Sequence, residues 1–276
     1  MKQKLKSKVL CVVGLIIICI YLFPIYWMVI SSLKDMNEIF ASRPTLFPEI
    51  IRFEAYSYIF SDSLGFYKYI VNSVVISFFA MLLTILIATP AAYALARKKL
   101  RGAGLFILFI LLIQMFPPNM MVLPIFAIFS QAKLTDSYIG IILANMTTSM
   151  PFIILTLRTF FVVLPKELED AATVDGCGRW GAFVKIICPI SKTGIMTSAA
   201  FAFVFAWGEF LYSLTLNSSE KYWPITMGMR QLEGQYGTMW PELMAAATVS
   251  SMPVILVFLL LQKYIVSGVT AGAVKG

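Results

Sequence analysis

The sequence predicts an all-α, polytopic membrane protein, and three observations carry this prediction. First, 59% of the 276 residues are apolar and only 13% are charged, about half the charged share of a typical soluble domain. Second, six charge-poor apolar stretches follow one another, each close to the roughly 20 residues that a helix needs to cross a bilayer. Third, the Lys and Arg residues concentrate on one side of these stretches. This combination excludes a disordered chain and argues against a soluble domain with one core.

The apolar stretches define six predicted transmembrane helices within one permease domain over residues 1–276. They lie at about residues 9–33, 69–96, 102–132, 137–160, 190–216 and 243–265. The first follows a lysine-rich leader, but it is longer than the apolar core of a signal peptide and no small-residue cleavage site closes it. We therefore expect an uncleaved first helix.

The loop charges predict the orientation. Fifteen Lys and Arg and four acidic residues lie on the side of the N-terminus, against seven basic and ten acidic residues on the other side. Cytoplasmic loops carry the excess of Lys and Arg. Both termini and the loop at residues 164–189 are therefore expected in the cytoplasm, and the net charge of +8 is a topology signal.

The composition also argues against chemistry in this chain. It contains no His, which removes the commonest general base and metal ligand. Of the four Cys, none is placed for a structural disulfide in an oxidising compartment. There is no Gly-Lys dipeptide and hence no Walker A phosphate loop. We expect no enzyme, no catalytic residue, no metal site and no cofactor in this chain.

Proline and polar residues interrupt the spans. Pro117-Pro118 must kink or break the third span, which lipid tolerates only where protein or a water-filled cavity satisfies the freed backbone groups. Polar side chains within spans either hydrogen-bond between helices or line a hydrophilic path. The candidates for lining such a path are Gln114, Asn119, Asn145, Glu209 and Tyr212.

Two external loops are rich in aromatic residues. The loop at 34–68 contains two prolines, which prevent one continuous helix, and a short ordered element at the outer surface is expected there. The loop at 217–242 fits either an interfacial aromatic belt or a surface for an external partner or a sugar.

The loop at 164–189 carries the most informative pattern. Pro165 suits the first turn of a helix, and the acids at 167–170 complement its positive end. Ala171 and Ala172 form a small-residue face, and Gly176 can adopt the left-handed conformation that ends a helix. A second amphipathic stretch leads to Pro189. This pattern predicts a short helix–turn–helix, for which a capped connecting helix is the simpler interpretation.

This loop resembles a motif of the ABC-importer permeases: Glu-Ala-Ala, three residues, Gly, nine residues, then Ile-x-Leu-Pro. The chain has Asp170-Ala171-Ala172, Gly176 and Ile186-Ile187-Cys188-Pro189 at the same spacing. Asp replaces Glu and keeps the charge with a shorter reach, and Cys188 replaces Leu and stays apolar.

Further segments resemble the maltose-permease type of the binding-protein-dependent carbohydrate importers, which have the type I importer fold. They are Ala91-Ala92-Tyr93-Ala94-Leu95-Ala96-Arg97, then Trp207-Gly208-Glu209-Phe210 with Gly in place of Asn, and residues 262–264 and 268–276 of the tail. The resemblance covers nearly the whole chain.

The resemblance implies a subunit of an ATP-driven sugar importer in a bacterial or archaeal cell membrane. The implied partners are a second permease subunit, two cytoplasmic ATPase subunits that bind ATP and Mg, an extracytoplasmic sugar-binding protein and the lipid bilayer, with no nucleic acid. The implied ATPase-coupling residues are Glu169, Asp170, Ala171, Ala172, Asp175, Gly176, Ile186 and Pro189. In the tail, Gly272, Lys275 and Gly276 are implied to reach toward the ATPase.

Alternatives remain open from the residues alone. An ion-coupled secondary transporter needs ionisable groups within the membrane, and Glu209 is the one acid flanked by apolar sequence on both sides. An intramembrane enzyme would need a nucleophile–base pair, and none is evident. Within the ABC interpretation, glycerol phosphate or another polar solute is an alternative to a sugar.

Overall fold

Helices make up almost all of the regular structure. The structure is a computed structural model that describes residues 2–97, 101–174, 176–234 and 237–273. The first seven helices are α1 Lys2–Ser31, α2 Met36–Ile39, α3 Glu54–Phe60, α4 Phe66–Arg97, α5 Ala103–Met115, α6 Pro118–Gln131 and α7 Tyr138–Val163.

The second half of the chain has shorter helices and ends in a long one. In order, it contains α8 Glu167–Val174, α9 Arg179–Ala182, a π-helix Phe183–Ile187, α10 Cys188–Ile190, α11 Lys192–Trp207, α12 Leu211–Leu216, a 3₁₀ turn Glu220–Tyr222, α13 Ile225–Arg230 and α14 Trp240–Ala273. Between α13 and α14 lie two strands that the sequence did not predict, β1 Glu233–Gly234 and β2 Gly237–Thr238. They pair antiparallel with Glu233 opposite Thr238.

Among the described residues, four helices are long and apolar enough to cross a membrane: Leu10–Ser31 within α1, α4, α7, and Trp240–Tyr264 within α14. Two bent pairs raise this number to six if each pair is one span. They are α5 with α6, bent by 103°, and Arg179–Ile190 with α11, bent by 77°. The prediction of an all-α polytopic membrane protein is confirmed, and six spans is the upper count.

The third predicted span, 102–132, is two helices at a steep angle. Phe116 and Pro117 are both extended, with ψ of 128° and 133°, and α6 begins at Pro118. Proline cannot donate a backbone hydrogen bond and crowds the preceding turn, but it suits the first turn of a new helix. The double proline therefore ends one helix and starts the next.

The fifth predicted span, 190–216, is also interrupted. Helix α11 ends at Trp207, and α12 starts at Leu211 after a three-residue break. With 16 residues, α11 alone is shorter than the roughly 20 residues that a bilayer core needs. The break lies at Gly208 and Glu209, where a new helix is capped, as described below.

The chain forms two compact units. One contains the residues up to Lys68 together with Gly228–Met252, and the other contains Tyr69–Met227 together with the residues from Pro253 onward. In the first unit, the loop at 34–68 contains α2 and α3. In this loop, Lys34 is buried, with 3% of the residue exposed. Its ammonium group lies 3.7 Å from a carboxylate oxygen of Glu38 and donates a hydrogen bond to Oγ1 of Thr45 at 2.9 Å.

Helices α4, α7 and α11 form the core of the second unit. Small residues such as Ala88, Ala92 and Ala202 are buried beside Leu157, so the helices approach closely, as is common in membranes. At Gly194, an added Cβ atom would lie 2.5 Å from the ring of Phe160. A buried hydroxyl pair, Thr84 with Ser149 at 3.3 Å, links α4 to α7.

Candidate functional site

Helix α8, the candidate coupling helix, has well-defined ends. At its start, the backbone N–H groups of Glu169 and Asp170 donate to the carbonyl of Lys166 at 2.9 and 3.2 Å. At its end, Gly176 has a left-handed φ of +77°. Its N–H donates to Thr173 at 3.1 Å, while the next N–H, of Cys177, donates to Ala172 at 2.9 Å. This pair of bonds is a Schellman motif.

The helix has two distinct faces. Leu168 packs against the core of the second unit, and Ala172 is fully buried. The opposite face is exposed and is formed by Glu167, Asp170, Ala171 and Val174. These positions follow the i, i+3, i+4, i+7 spacing of one helix face. Val174 is 87% exposed, so an apolar side chain stands on this acidic face without cover from its own chain.

Glu169 turns away from the exposed face. Its Oε1 lies 2.8 Å from Nε of Arg97, the last residue of α4, and the Arg97 side chain is only 5% exposed. The same guanidinium donates to the carbonyl of Pro165 at 3.3 Å. One arginine therefore holds both a side chain of α8 and the backbone just before it.

The segment after Gly176 packs against the spans. Phe183 and Ile187 are buried in the core, and the ring of Tyr93 on α4 lies 4.7 Å from that of Phe183. The N–H of Cys188 bonds to the carbonyl of Phe183, five residues earlier. Pro189 follows directly, and because it lacks an N–H and crowds the carbonyl four residues earlier, it accounts for the wider π turn here.

The predicted coupling residues thus divide into three groups. Asp170, Ala171, Gly176 and Pro189 are exposed, Glu169 and Ile186 are half-buried, and Ala172 is buried. Asp175, Lys275 and Gly276 lie outside the described residues, and Gly272 lies within α14. Val174 and Arg97 were not among the predicted site residues. Val174 follows Ala171 by three positions, a spacing that indicates a shared face, but only the fold reveals the role of Arg97.

A cavity of about 1010 Å³ opens in the second unit between α5, α6 and α7. Four of the five predicted path residues line it: Gln114, Asn145, Glu209 and Tyr212. Asn119 is not among the lining residues and is exposed near the start of α6. The rest of the lining is largely apolar and includes the aromatic residues Phe106, Phe109, Phe116, Phe129, Phe152 and Phe205. Sequence reasoning missed this aromatic lining, because the same rings also fit lipid contact.

Glu209 carries the one charge among the described lining residues, and its carboxylate has local partners. Oε1 accepts from the backbone N–H of Tyr212 at 2.6 Å. Oε2 accepts from the N–H and the hydroxyl of Ser213 at 3.2 and 3.1 Å. The carboxylate therefore caps α12, whose first N–H groups have no partners within the helix. This explains why a new helix starts after the break.

Asn72 holds one end of the second unit together. Its side-chain amide donates to the carbonyls of Lys221 and Trp223 at 3.0 and 2.8 Å. The hydroxyl of Tyr138 donates to its Oδ1 at 2.6 Å, and Tyr69 is bonded to Glu220 nearby. A single buried side chain thus joins α4, α7 and the loop before α13.

Known proteins match all or most of the chain. A diacetylchitobiose uptake system permease protein of Streptomyces coelicolor is 35% identical over 277 residues, covering 100% of both chains. A sulfoquinovosyl glycerol transport system permease protein of Agrobacterium fabrum is 36% identical and covers 92% of this chain and 89% of its own. A trehalose/maltose transport system permease protein of Thermococcus litoralis is 32% identical, with 100% of both chains covered.

A solved structure has the same fold. A chain from the crystal structure of a bacterial ABC transporter involved in the import of the acidic polysaccharide alginate superposes with a TM-score of 0.79, covering 96% of this chain and 98% of its own at 23% identity. The sequence pattern of one protein family matches residues 85–271, which include α8 and the cavity. The resemblance inferred from the loop motif is confirmed: the chain belongs to the family of binding-protein-dependent transport system inner membrane components.

Proposed function

We propose that this chain is the membrane-spanning subunit of an ATP-driven sugar importer and forms half of its translocation pathway. The observation that carries the proposal is the family match together with relatives that are named as permeases of uptake systems for diacetylchitobiose and for trehalose/maltose. A second permease subunit, two cytoplasmic ATPase subunits and an extracytoplasmic sugar-binding protein complete the transporter. ATP and Mg bind to the ATPase subunits.

The orientation follows from the loop charges. The side that carries fifteen of the 22 Lys and Arg is the cytoplasmic side, so both termini and α8 face the cytoplasm. The loop at 34–68 and the paired strands then face outward, where the binding protein delivers its ligand.

The exposed face of α8 docks on an ATPase subunit. Two features support this role: the acids Glu167 and Asp170 remain in water, and Val174 exposes an apolar side chain beside them. A single exposed apolar side chain is ordinary on a protein surface, so the loop motif at Asp170-Ala171-Ala172 and Gly176 is the main support for docking, and the exposed face identifies which residues are free to dock. The tail residues Gly272, Lys275 and Gly276 remain predicted as a second contact with the ATPase.

The cavity is proposed as this subunit's share of the pathway. Aromatic rings with a few polar groups suit a neutral sugar, whose rings stack and whose hydroxyls hydrogen-bond. Because Glu209 is used as a helix cap, none of the lining residues that the structure describes offers a carboxylate free of local partners for ion coupling.

Cross-linking tests the docking role. In a complex purified with its ATPase, after replacement of the four native cysteines by serine, Ala171→Cys is expected to cross-link to the ATPase. A matched control is Ser218→Cys, which is exposed on the opposite side of the predicted topology. Equal yields from both positions, or none from Ala171→Cys, would contradict the docking role. Uptake assays with disaccharides, trisaccharides and glycerol phosphate then identify the solute class.

A further inference from the structure

Helix α8 connects to the rest of the second unit in two ways. One connection is the chain itself, which continues through Gly176 and Pro189 into α11. The other is lateral and joins α8 to α4, a helix that is distant in sequence. The lateral connection bears on how a displacement of α8 reaches the membrane.

A close ion pair is the charged part of this lateral connection, beside the packing of Leu168 and Ala172. Nε of Arg97 lies 2.8 Å from Oε1 of Glu169, and the two side chains are 5% and 27% exposed. The attraction between the two charges holds the pair, and water and salt screen a partly buried pair less than an exposed one. The same guanidinium also donates a hydrogen bond to the carbonyl of Pro165 at 3.3 Å, which holds the chain just before α8.

Packed side chains stiffen the surroundings of this pair. One helical turn before Arg97, the ring of Tyr93 contacts Phe161 at 5.8 Å and Phe183 at 4.7 Å between centroids. Leu168, the neighbour of Glu169, packs against the same cluster. Close-packed groups transmit strain rather than absorb it, so a displacement of α8 is not lost in a soft contact.

We infer that the Arg97–Glu169 pair passes the displacement of α8 directly to α4, in addition to the route through the chain into α11. This inference rests on the proposed function. Within the predicted motif, neighbouring acids then have separate tasks. Asp170 faces the partner protein, and Glu169 is a positioning residue that acts through Arg97 inside its own chain.

The test measures coupling in the complete transporter reconstituted in proteoliposomes with its partner subunits and binding protein. The measured quantity is the number of ATP molecules hydrolysed per sugar transported. Arg97→Gln and Glu169→Gln are each expected to raise this number by about fivefold or more, the lower end of typical coupling effects. The double variant is expected to match the single variants, because both changes break the same link.

Arg101→Gln is the matched control, since Arg101 is exposed and lies just beyond the same end of α4. It is expected to leave the ATP cost per sugar at the wild-type value. Co-purification of the ATPase is measured in parallel, and its loss in Glu169→Gln would overturn the inference in favour of direct docking by Glu169.

Two further outcomes would overturn the inference: a wild-type ratio in Arg97→Gln, or additive effects in the double variant. If Arg97→Gln does not assemble with its partners, Arg97→Lys replaces it. Lysine keeps the positive charge but lacks the guanidinium that contacts both Glu169 and Pro165. Wild-type values of ATP hydrolysed per sugar in both Arg97→Lys and Glu169→Gln would also overturn the inference. A wild-type transporter without ATP-dependent uptake contradicts the proposed function, whereas normal wild-type uptake with unaffected variants contradicts only the link.

Discussion

The backbone N–H of Cys177 donates to the carbonyl of Ala172 over 2.9 Å, and Gly176 lies between them in the left-handed conformation. This bond ends α8 and directs the chain into the segment that packs beneath α4 and α7. The path of the chain out of α8 therefore depends on the backbone torsion of Gly176.

Gly176→Ala is expected to lower sugar uptake and to raise ATP hydrolysis per sugar. The cause is torsional, since nothing lies within 4 Å of an added Cβ atom, and a left-handed residue with a Cβ costs about 1–2 kcal/mol. Gly176→Asn, which tolerates this conformation better, is expected to retain more coupling. Uptake and ATPase assays on reconstituted transporter measure both effects.

Gly178→Ala is the control for this prediction. Gly178 has an ordinary φ of −62° and open space around it, so alanine fits without strain. Equal activity of Gly176→Ala and Gly178→Ala would show that the left-handed turn does not matter for coupling.

Gly140→Ala is expected to destabilise the second unit. An added Cβ atom would lie 2.0 Å from the carbonyl oxygen of Leu134, which belongs to the backbone and cannot rotate away. Overpacking of this kind typically costs about 1–3 kcal/mol, seen as a lower melting temperature in detergent. Gly104→Ala, at a helical glycine with nothing within 4 Å, is the control, and an equal melting temperature for the two variants would contradict the close contact.

Asn72→Ala is expected to loosen the loop before α13. The change removes bonds to Lys221, Trp223 and Tyr138, and a buried partner left unsatisfied costs about 1–3 kcal/mol. Limited proteolysis near Lys221 is expected to speed up. Asn119→Ala changes an exposed asparagine and should leave the cleavage rate unchanged; if both variants are cleaved at the wild-type rate, Asn72 does not anchor the loop.

Glu209→Gln is expected to keep most of the sugar uptake, because an amide oxygen still caps α12. Glu209→Leu removes every acceptor and is expected to lower both the melting temperature and uptake. Uptake by both variants is measured with and without a protonophore. An ion-coupled transporter predicts the opposite pattern, in which Glu209→Gln loses uptake as completely as Glu209→Leu and the wild-type protein stops in the presence of the protonophore.

Local features of the fold could be predicted from the sequence. The apolar stretches, the break at Pro117 and the left-handed Gly176 depend on hydrophobicity and backbone sterics within a few residues. The 103° angle between α5 and α6 depends on packing and could not be predicted in this way. The same holds for the Arg97–Glu169 pair, whose partners are far apart in sequence, and for the absence of Asn119 from the cavity lining.

The division of the coupling loop into two faces lies between these cases. Helical spacing groups Asp170, Ala171 and Val174, but the sequence contains no signal for which face meets the spans. Burial of Ala172 and pairing of Glu169 decide it in the structure. The predicted set of coupling residues therefore mixes residues that face a partner with residues that hold α8 in place.

ATP-driven sugar import is tested by measuring uptake in proteoliposomes that contain this chain with its second permease and ATPase subunits. Binding protein and labelled sugar are added on the side of the loop at 34–68, and ATP with Mg on the side of α8. In an ATP-driven importer, sugar is expected to accumulate against its gradient only when both ATP and binding protein are present, and collapsing proton and sodium gradients is expected to change nothing. Accumulation driven by an ion gradient without ATP would contradict ATP-driven import.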